Sequence, residues 1–348
     1  MGCMASAAAR AATVLAVLAV AACTVPAPVT PLTPGCTAEA RTADAARAAL
    51  AGAPAGATVC LTGDDLRATD LVVTASGTAG RPVVVRALGA VVVRSVEVDA
   101  DHVVVEGLTT EGGTGLVLAG TGITVRGNAV RDAVQDGISC EQRCRDVLVE
   151  DNTVTGADGS GIIVEGERIT VRGNAVSGSV MRAANDADGI RFFGTGITVA
   201  GNTVSDIKDD GYDGEPPHTD CFQTYDNSRP PTVGAVVTGN VCRNVDHQCL
   251  IATAEESGED GVVGRSRGIE FTGNVCDVEG SQAVLVQWIP DVLVRGNTFT
   301  GPDLYRAAIF LDGSTGAGFY DNTVPDGVAG YQLDGESSAG FGTDRPEE

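Results

Sequence analysis

Short stretches in which apolar and polar residues alternate, broken by glycine and asparagine, run through most of the chain. Ile123-Thr124-Val125-Arg126 and Ile169-Thr170-Val171-Arg172 show the form. Alternate residues are β-branched, which is the period of a strand with one buried face. Each stretch leads into an Asn-centred turn. The turn recurs as GNAV (127–130), DNTV (151–154), GNAV (173–176), GNTV (201–204), GNVC (239–242), GNVC (273–276), GNTF (296–299) and DNTV (321–324). Its asparagines, at 128, 152, 174, 202, 240, 274, 297 and 322, are 22 to 38 residues apart. Between successive turns lies a second strand: Gly137-Ile138-Ser139, Gly161-Ile162-Ile163-Val164, Gly189-Ile190-Arg191-Phe192, then Cys221-Phe222-Gln223-Thr224.

Strands this short cannot bury an apolar face alone. Stacked about 4.8 Å apart, each pairs with its equivalents above and below, and the repeats share one Val/Ile core. The pattern therefore predicts an all-β, single-domain parallel β-helix of about ten coils. Asparagine suits the bend because it tolerates left-handed backbone and its amide can bond the same amide one coil away. A leucine-rich repeat has a similar period, but its Leu framework is absent. Residues 37–51 (TAEARTADAARAALA) predict a short amphipathic helix that covers the open first coil.

The stretch that follows runs from Gly56-Ala57-Thr58-Val59-Cys60-Leu61 through Ser76-Gly77-Thr78-Ala79-Gly80-Arg81-Pro82-Val83-Val84-Val85. It resembles the first coils of the pectate-lyase-like β-helix superfamily, and the resemblance extends from residue 36 to about 335. It implies a right-handed coil and a place among polysaccharide lyases, hydrolases and epimerases, a group that also holds members without known catalysis. No catalytic set of that superfamily is matched residue by residue, so candidate residues rest on their own chemistry.

Composition narrows the partners. The chain carries 46 acidic against 23 basic residues, a net charge of −23, with 46 glycines and only 4% aromatics. Such a field repels nucleic acid and anionic membranes, and it opposes an anionic polysaccharide unless a basic patch or bound cation offsets it. At the N-terminus, Arg10 and the short apolar run Ala11 to Ala22 read as a leader (1–22). Val20-Ala21-Ala22-Cys23 resembles a lipobox, which would leave Cys23 lipidated and the membrane touched only through that anchor. An ordinary secretory signal with Cys23 incidental is the other reading. Residues 23–35 read as a Pro/Thr-rich tether, 36–335 as the β-helix and 336–348 as a polar tail. The expected chain is exported, lipid-anchored facing outward or secreted, and monomeric.

Setting aside Cys3 and Cys23 leaves eight cysteines, an even number suited to an oxidising compartment. In the repeat register Cys221 matches Cys249, and Cys242 matches Cys276. This predicts Cys221–Cys249 and Cys242–Cys276, with Cys140–Cys144 closing a small loop and Cys36–Cys60 tying the cap to the first coil.

Long insertions concentrate between residues 174 and 270, the place where functional side chains gather on a rigid ladder. The register there puts Asp220 over Asp188 and Gln223 beside Arg191, with Gln248 in the next coil and His218 and His247 close by. Stacked carboxylates cannot both ionise cheaply, so one is expected to hold a proton, as acid/base pairs in glycoside hydrolysis require. In a β-elimination, Arg191 or Lys208, the only lysine, would neutralise or deprotonate a uronate. The alternative is that both Asp residues cap turns through the backbone, as Asp136 in the same register suggests. Tyr225 and Trp288 are candidate sugar contacts, Trp288 equally a loop anchor. Asp209, Asp210 and Asp213, with Glu215, form either a calcium site or a solvated acidic loop, and no cofactor is otherwise required. No phosphate-binding loop, HExxH, paired CxxC or GxSxG is present.

The sequence thus points to a surface protein that binds and cleaves a polysaccharide by hydrolysis or β-elimination. Its rival is a non-catalytic cell-envelope binding or structural β-helix protein.

Overall fold

The computed structural model describes residues 33–183 and 186–344, so the leader, Cys23 and most of the tether lie outside the described residues. The described chain is a parallel β-helix. One sheet stacks thirteen strands, from Ala38–Ala40 to Gly342–Thr343, in chain order. The other holds eighteen strands in two series, one directly after each Asn turn and one after the next bend. Ladders between these strands are parallel throughout. The coil count exceeds the expected ten because the first coils, such as Val83–Ala87 and Val103–Glu106, carry no Asn turn to reveal them.

Both ends differ in detail from the sequence reading. The helix spans Ala43–Ala51, begins at an N-cap where Thr42 Oγ1 accepts from Ala45 N, and buries Ala46 and Leu50. The residues before it form Ala38–Ala40, the first strand of the thirteen-strand sheet, because Thr58–Leu61 offers it a partner edge. The stretch 336–348, read as a polar tail, contains Gly342–Thr343, which pairs with Gly318–Tyr320.

The bend between the sheets is built on a buried column of asparagines. Between the ends of the column, each side chain accepts on Oδ1 from the backbone N–H and Nδ2 of the preceding Asn and donates Nδ2 to the Oδ1 of the next. Asn174 Nδ2 meets Asn202 Oδ1 at 2.9 Å, and Asn202 Nδ2 meets Asn240 Oδ1 at 3.0 Å. Each Nδ2 also donates to a valine or phenylalanine carbonyl, as Asn202 does to Val171 O at 2.9 Å. The left-handed residue is not the asparagine but the one before it: Gly127, Gly173, Gly201, Gly239, Gly273, Gly296, Asp151 or Asp321.

A second inward column explains the disulfides. Gly137, Gly161 and Gly189 leave room for Val154, Val176 and Val204, each of which a Cβ at that glycine would strike. In the next two coils cysteines take both places of this contact. The structure therefore pairs Cys221 with Cys242 and Cys249 with Cys276, at Cα separations of 6.0 and 5.8 Å, not Cys221–Cys249 and Cys242–Cys276. The registers Phe222 with Leu250 and Cys242 with Cys276 hold, but register neighbours lie only a strand spacing apart and point in parallel. The cross-core geometry sits in the middle of the disulfide range and lets the two side chains face each other. Cys36–Cys60 and Cys140–Cys144 form as expected. Four disulfides suit a chain that folds in an oxidising compartment. No helix among the described residues is long and apolar enough to cross a membrane.

Non-reducing peptide mapping should recover Cys221–Cys242 and Cys249–Cys276; recovery of the register pairs would overturn the cross-core contact. Asn202→Ala removes the acceptor of Asn174 N–H and Nδ2 and the donor to Val171 O. It should cost about 2–4 kcal/mol in urea denaturation, and a loss under about 1 kcal/mol would show the column to be dispensable.

Candidate functional site

Three successive strands of the second series, Ser160–Glu167, Asp188–Thr195 and Phe222–Thr224, stack with Ser160 beside Asp188, Ile190 beside Phe222 and Arg191 beside Gln223. The inward Ile190 and Phe222 fix the phase of each strand, so Arg191 and Gln223 face out. At or just before the start of their strands, Asp188, Asp220 and Gln248 form a column. Asp188 Oδ1 accepts from Asp220 N at 2.9 Å, and Asp220 Oδ1 accepts from Gln248 N at 2.8 Å. Asp136 does the same for Ser160 N at 2.6 Å. One oxygen of each carboxyl therefore caps the next coil, and the second is left over.

The spare oxygen of Asp188 meets Arg191, and that of Asp220 has no hydrogen-bond partner among the described residues. The Arg191 guanidinium pairs with Asp188 and, at 2.7 Å, with Asp186. Its face lies 5.8 Å from the centroid of Tyr225, whose ring packs edge-on against Phe193. Asp188 and Asp220 are wholly buried; Gln223 and Gln248 are nearly so. Asp186, with 19% of its side chain exposed, is the carboxylate of the group that reaches solvent. Above it stand the histidines. His218 is exposed and His247 half-buried, their ring centroids 5.4 Å apart. His247 Nδ1 accepts from Thr219 N at 3.0 Å, which leaves Nε2 facing Asp209 Oδ2 at 3.5 Å.

The electrostatics follow from burial. Burial pushes the Asp188 carboxyl up to about 7, against the pull of Arg191. Asp220 is held well above the usual carboxylate range by burial and then by the Asp188 charge. Asp186 is raised by burial, with Arg191 and His218 opposing. Burial and the neighbouring His218 lower His247, so the imidazole is neutral at pH 7. Arg191 thus offsets only part of the burial cost, and all three carboxyls are shifted towards their protonated forms.

The same group concentrates unmet hydrogen bonding. Among the described residues, eight buried side-chain atoms make no hydrogen bond, and six of them belong to Ser160, Asp188, Arg191, Thr219, Asp220 and Gln223. Asp188 Oδ2 is one of these and has the Arg191 ion pair as its compensation. Buried polar groups are normally satisfied by the fold, so this concentration makes the group the candidate functional site.

Other candidates lie elsewhere. Lys208 Nζ is held by Asp246 at 2.7 Å and Glu279 at 2.8 Å, and so pins the start of its loop to the next two coils. Trp288, with left-handed backbone, packs half-buried on the core beneath Gly258, where a Cβ would strike the indole; it anchors the short helix Glu255–Glu259. Asp210 and Asp213 are exposed, and no group of three or more His, Cys, Asp or Glu side chains among the described residues can hold a metal. Asp186 escaped the sequence reading, although its place two residues before Asp188 matches that of His218 before Asp220.

The family described as "Right handed beta helix region" matches residues 98–176 and 114–250. No curated protein matches the sequence. Among solved structures, the surface adhesin PfbA of Streptococcus pneumoniae is similar at 12% identity and a TM-score of 0.54, covering 84% of each chain. The GH136 lacto-N-biosidase of Eubacterium ramulus is similar at 12% identity and a TM-score of 0.53, covering 87% of this chain and 64% of its own, so this chain spans less than two thirds of that enzyme. An alginate lyase from Paenibacillus sp. str. FPU-7 aligns at 16% identity over 88% of this chain and 96% of its own, with a TM-score of 0.43. At these identities the likeness is one of fold.

The raised Asp220 carboxyl carries a stability signature. Folded Asp220 binds its proton more tightly than the unfolded chain does, so native stability falls as pH rises above the ordinary carboxylate range, about 4. Asp220→Asn keeps the Oδ1 acceptor for Gln248 N and cannot ionise. It should melt above the parent at pH 8, by on the order of 1–2 kcal/mol, with the gap closing towards pH 4. An equal loss at both pH values would refute a strained carboxyl.

Proposed function

We propose that this chain is an exported glycan-binding protein, lipid-anchored through Cys23, that hydrolyses a glycosidic bond over the Asp186–Asp188–Asp220 cluster. The observation that carries this reading is the pairing of Asp186 and Asp188 with one guanidinium beside the buried Asp220, with burial raising all three carboxyls and Asp186 alone of the three opening to solvent. Hydrolysis needs a protonated carboxyl beside an ionised one at the same pH. In this scheme Asp186 gives its proton to the glycosidic oxygen as the C–O bond breaks. The oxygen of a water bonds to the anomeric carbon and loses its proton to Asp209, which stands against His247. Asp188 and Asp220 act as positioning residues: Asp188 holds Arg191, which holds Asp186, and both cap the following coil. His218, Gln223, Gln248 and Tyr225 line the approach.

Hydrolysis is favoured over β-elimination because the cations are already committed. Arg191 is paired with two carboxylates and Lys208 with two others, so neither is spare to neutralise a uronate. The net charge of −23 further favours an uncharged glycan.

A second reading is glycan binding without cleavage. It is favoured by the complete burial of Asp188 and Asp220, each with a capping duty that needs no reaction.

A panel of neutral and uronic polysaccharides, assayed for reducing ends and for unsaturated-uronate absorbance, separates the readings. Cleavage of a neutral glycan without that absorbance is expected. Asp186→Asn should lower kcat by about 10²–10⁴-fold with little change in KM and abolish the alkaline limb of the pH profile. Full activity in that variant would remove Asp186 from the chemistry, and saturable binding with no reducing ends would support the second reading.

A further inference from the structure

Beyond the carboxylate cluster, the outward face of the eighteen-strand sheet carries a long groove over the earlier coils. Three hollows of about 370, 310 and 520 Å³ adjoin there. The first two share Glu97, and the second and third share Glu141 and Arg143, so they form one channel. Its floor follows the outward register Val72, Glu97, Val117 and Ser139, which are exposed or half-exposed. The register continues to Ile163, which is buried, and Phe193, beside Glu165 on the same face, is buried as well.

What shuts them is a strap. The loop after Phe222–Thr224 turns back over the preceding coils, and Arg229 reaches Glu141 and, at 3.1 Å, Glu165. Its guanidinium lies 5.2 Å from the centroid of Phe193. Asp226 fixes the loop's base by accepting from Glu256 N at 3.1 Å and Ser257 N at 3.0 Å. Pro230 and Pro231 wall the third hollow. The strap therefore stands between the groove and the Asp186–Arg191 group.

We infer that this groove is a separate holding site for an extended, uncharged glycan chain, distinct from the carboxylate cluster. Three features set the ligand class. The channel crosses six stacked strands, about 24 Å along the axis, which suits a run of linked rings and exceeds a monosaccharide. Six carboxylates line it against three guanidiniums, so an anionic chain is repelled. The lining alternates small residues, such as Ala119 and Ser139, with carboxylate–guanidinium pairs such as Asp70–Arg94 and Asp99–Arg143. Paired charges offer donors and acceptors side by side, the pattern that hydroxyl groups satisfy without adding charge.

The test is binding, measured apart from turnover. Titration calorimetry with neutral glucan, mannan and xylan oligomers of increasing length, and with oligogalacturonate as the anionic control, uses the whole chain. Affinity for a neutral oligomer should rise with length, and the anionic series should bind more weakly. Ser139→Trp fills the groove floor at a half-exposed position and should cost more than about tenfold in affinity for the longest oligomer, the size of one lost contact of about 1.4 kcal/mol. Val117→Trp serves the same purpose independently, and circular dichroism confirms that each variant folds. Turnover of a short chromogenic glycoside at the carboxylate cluster should stay within about twofold in both variants. Unchanged affinity in both folded variants, tighter binding of the anionic series, or no binding of any neutral oligomer would overturn the groove. Loss of turnover in Asp186→Asn with binding retained bears on the cluster alone, so the two sites stand or fall separately.

Discussion

Every coil in the Asn-bearing part of this protein is indexed by a buried amide that finds partners in the coils on either side. An asparagine at the bend has one carbonyl and two N–H groups to satisfy away from water, and leaving any unmet costs a large share of a domain's net stability. The column from Asn128 to Asn322 solves this collectively, each amide serving the next. A slip of one residue in any coil would bury a mismatched side chain and break two links. The column therefore fixes the phase of both sheets, and that phase decides which residues face the core.

From the phase follows the polarity of the outward face. Because Ile190 and Phe222 must point inward, Arg191 and Gln223 point outward, and Asp188 and Asp220 come to the start of their strands in vertical contact. Their backbone-capping bonds make them part of the scaffold while their second oxygens remain uncommitted to it. This double duty explains how carboxyls can be buried so completely without being displaced by apolar residues. The coil spacing forces them together, and Arg191 offsets only part of the cost.

The elaborated middle of the solenoid relies on extra ties. Two cross-core disulfides replace the Gly/Val contacts of the earlier coils where the longest loops leave and rejoin the ladder. Lys208 and Asp226 pin loops to neighbouring coils, and Arg229 straps one loop back over three of them. Long insertions raise the entropy that folding must overcome, and each tie removes part of it.

The alternation of short β stretches and the recurring Asn turn were enough to determine the parallel β-helix, its register and the outward placing of Arg191 and Gln223. These depend on nearest-neighbour coils alone, and a one-dimensional repeat writes such contacts directly into the sequence. Contacts across the core or between a loop and a distant coil leave no such periodic mark. The pairing of Cys221 with Cys242, the left-handed residue before each Asn, the anchoring of Trp288 under Gly258 and the ties of Lys208 were therefore decided by the tertiary structure. So was the division of labour among carboxyls: the sequence stacks Asp188 on Asp220, but only packing in three dimensions buries both and leaves Asp186 at the surface.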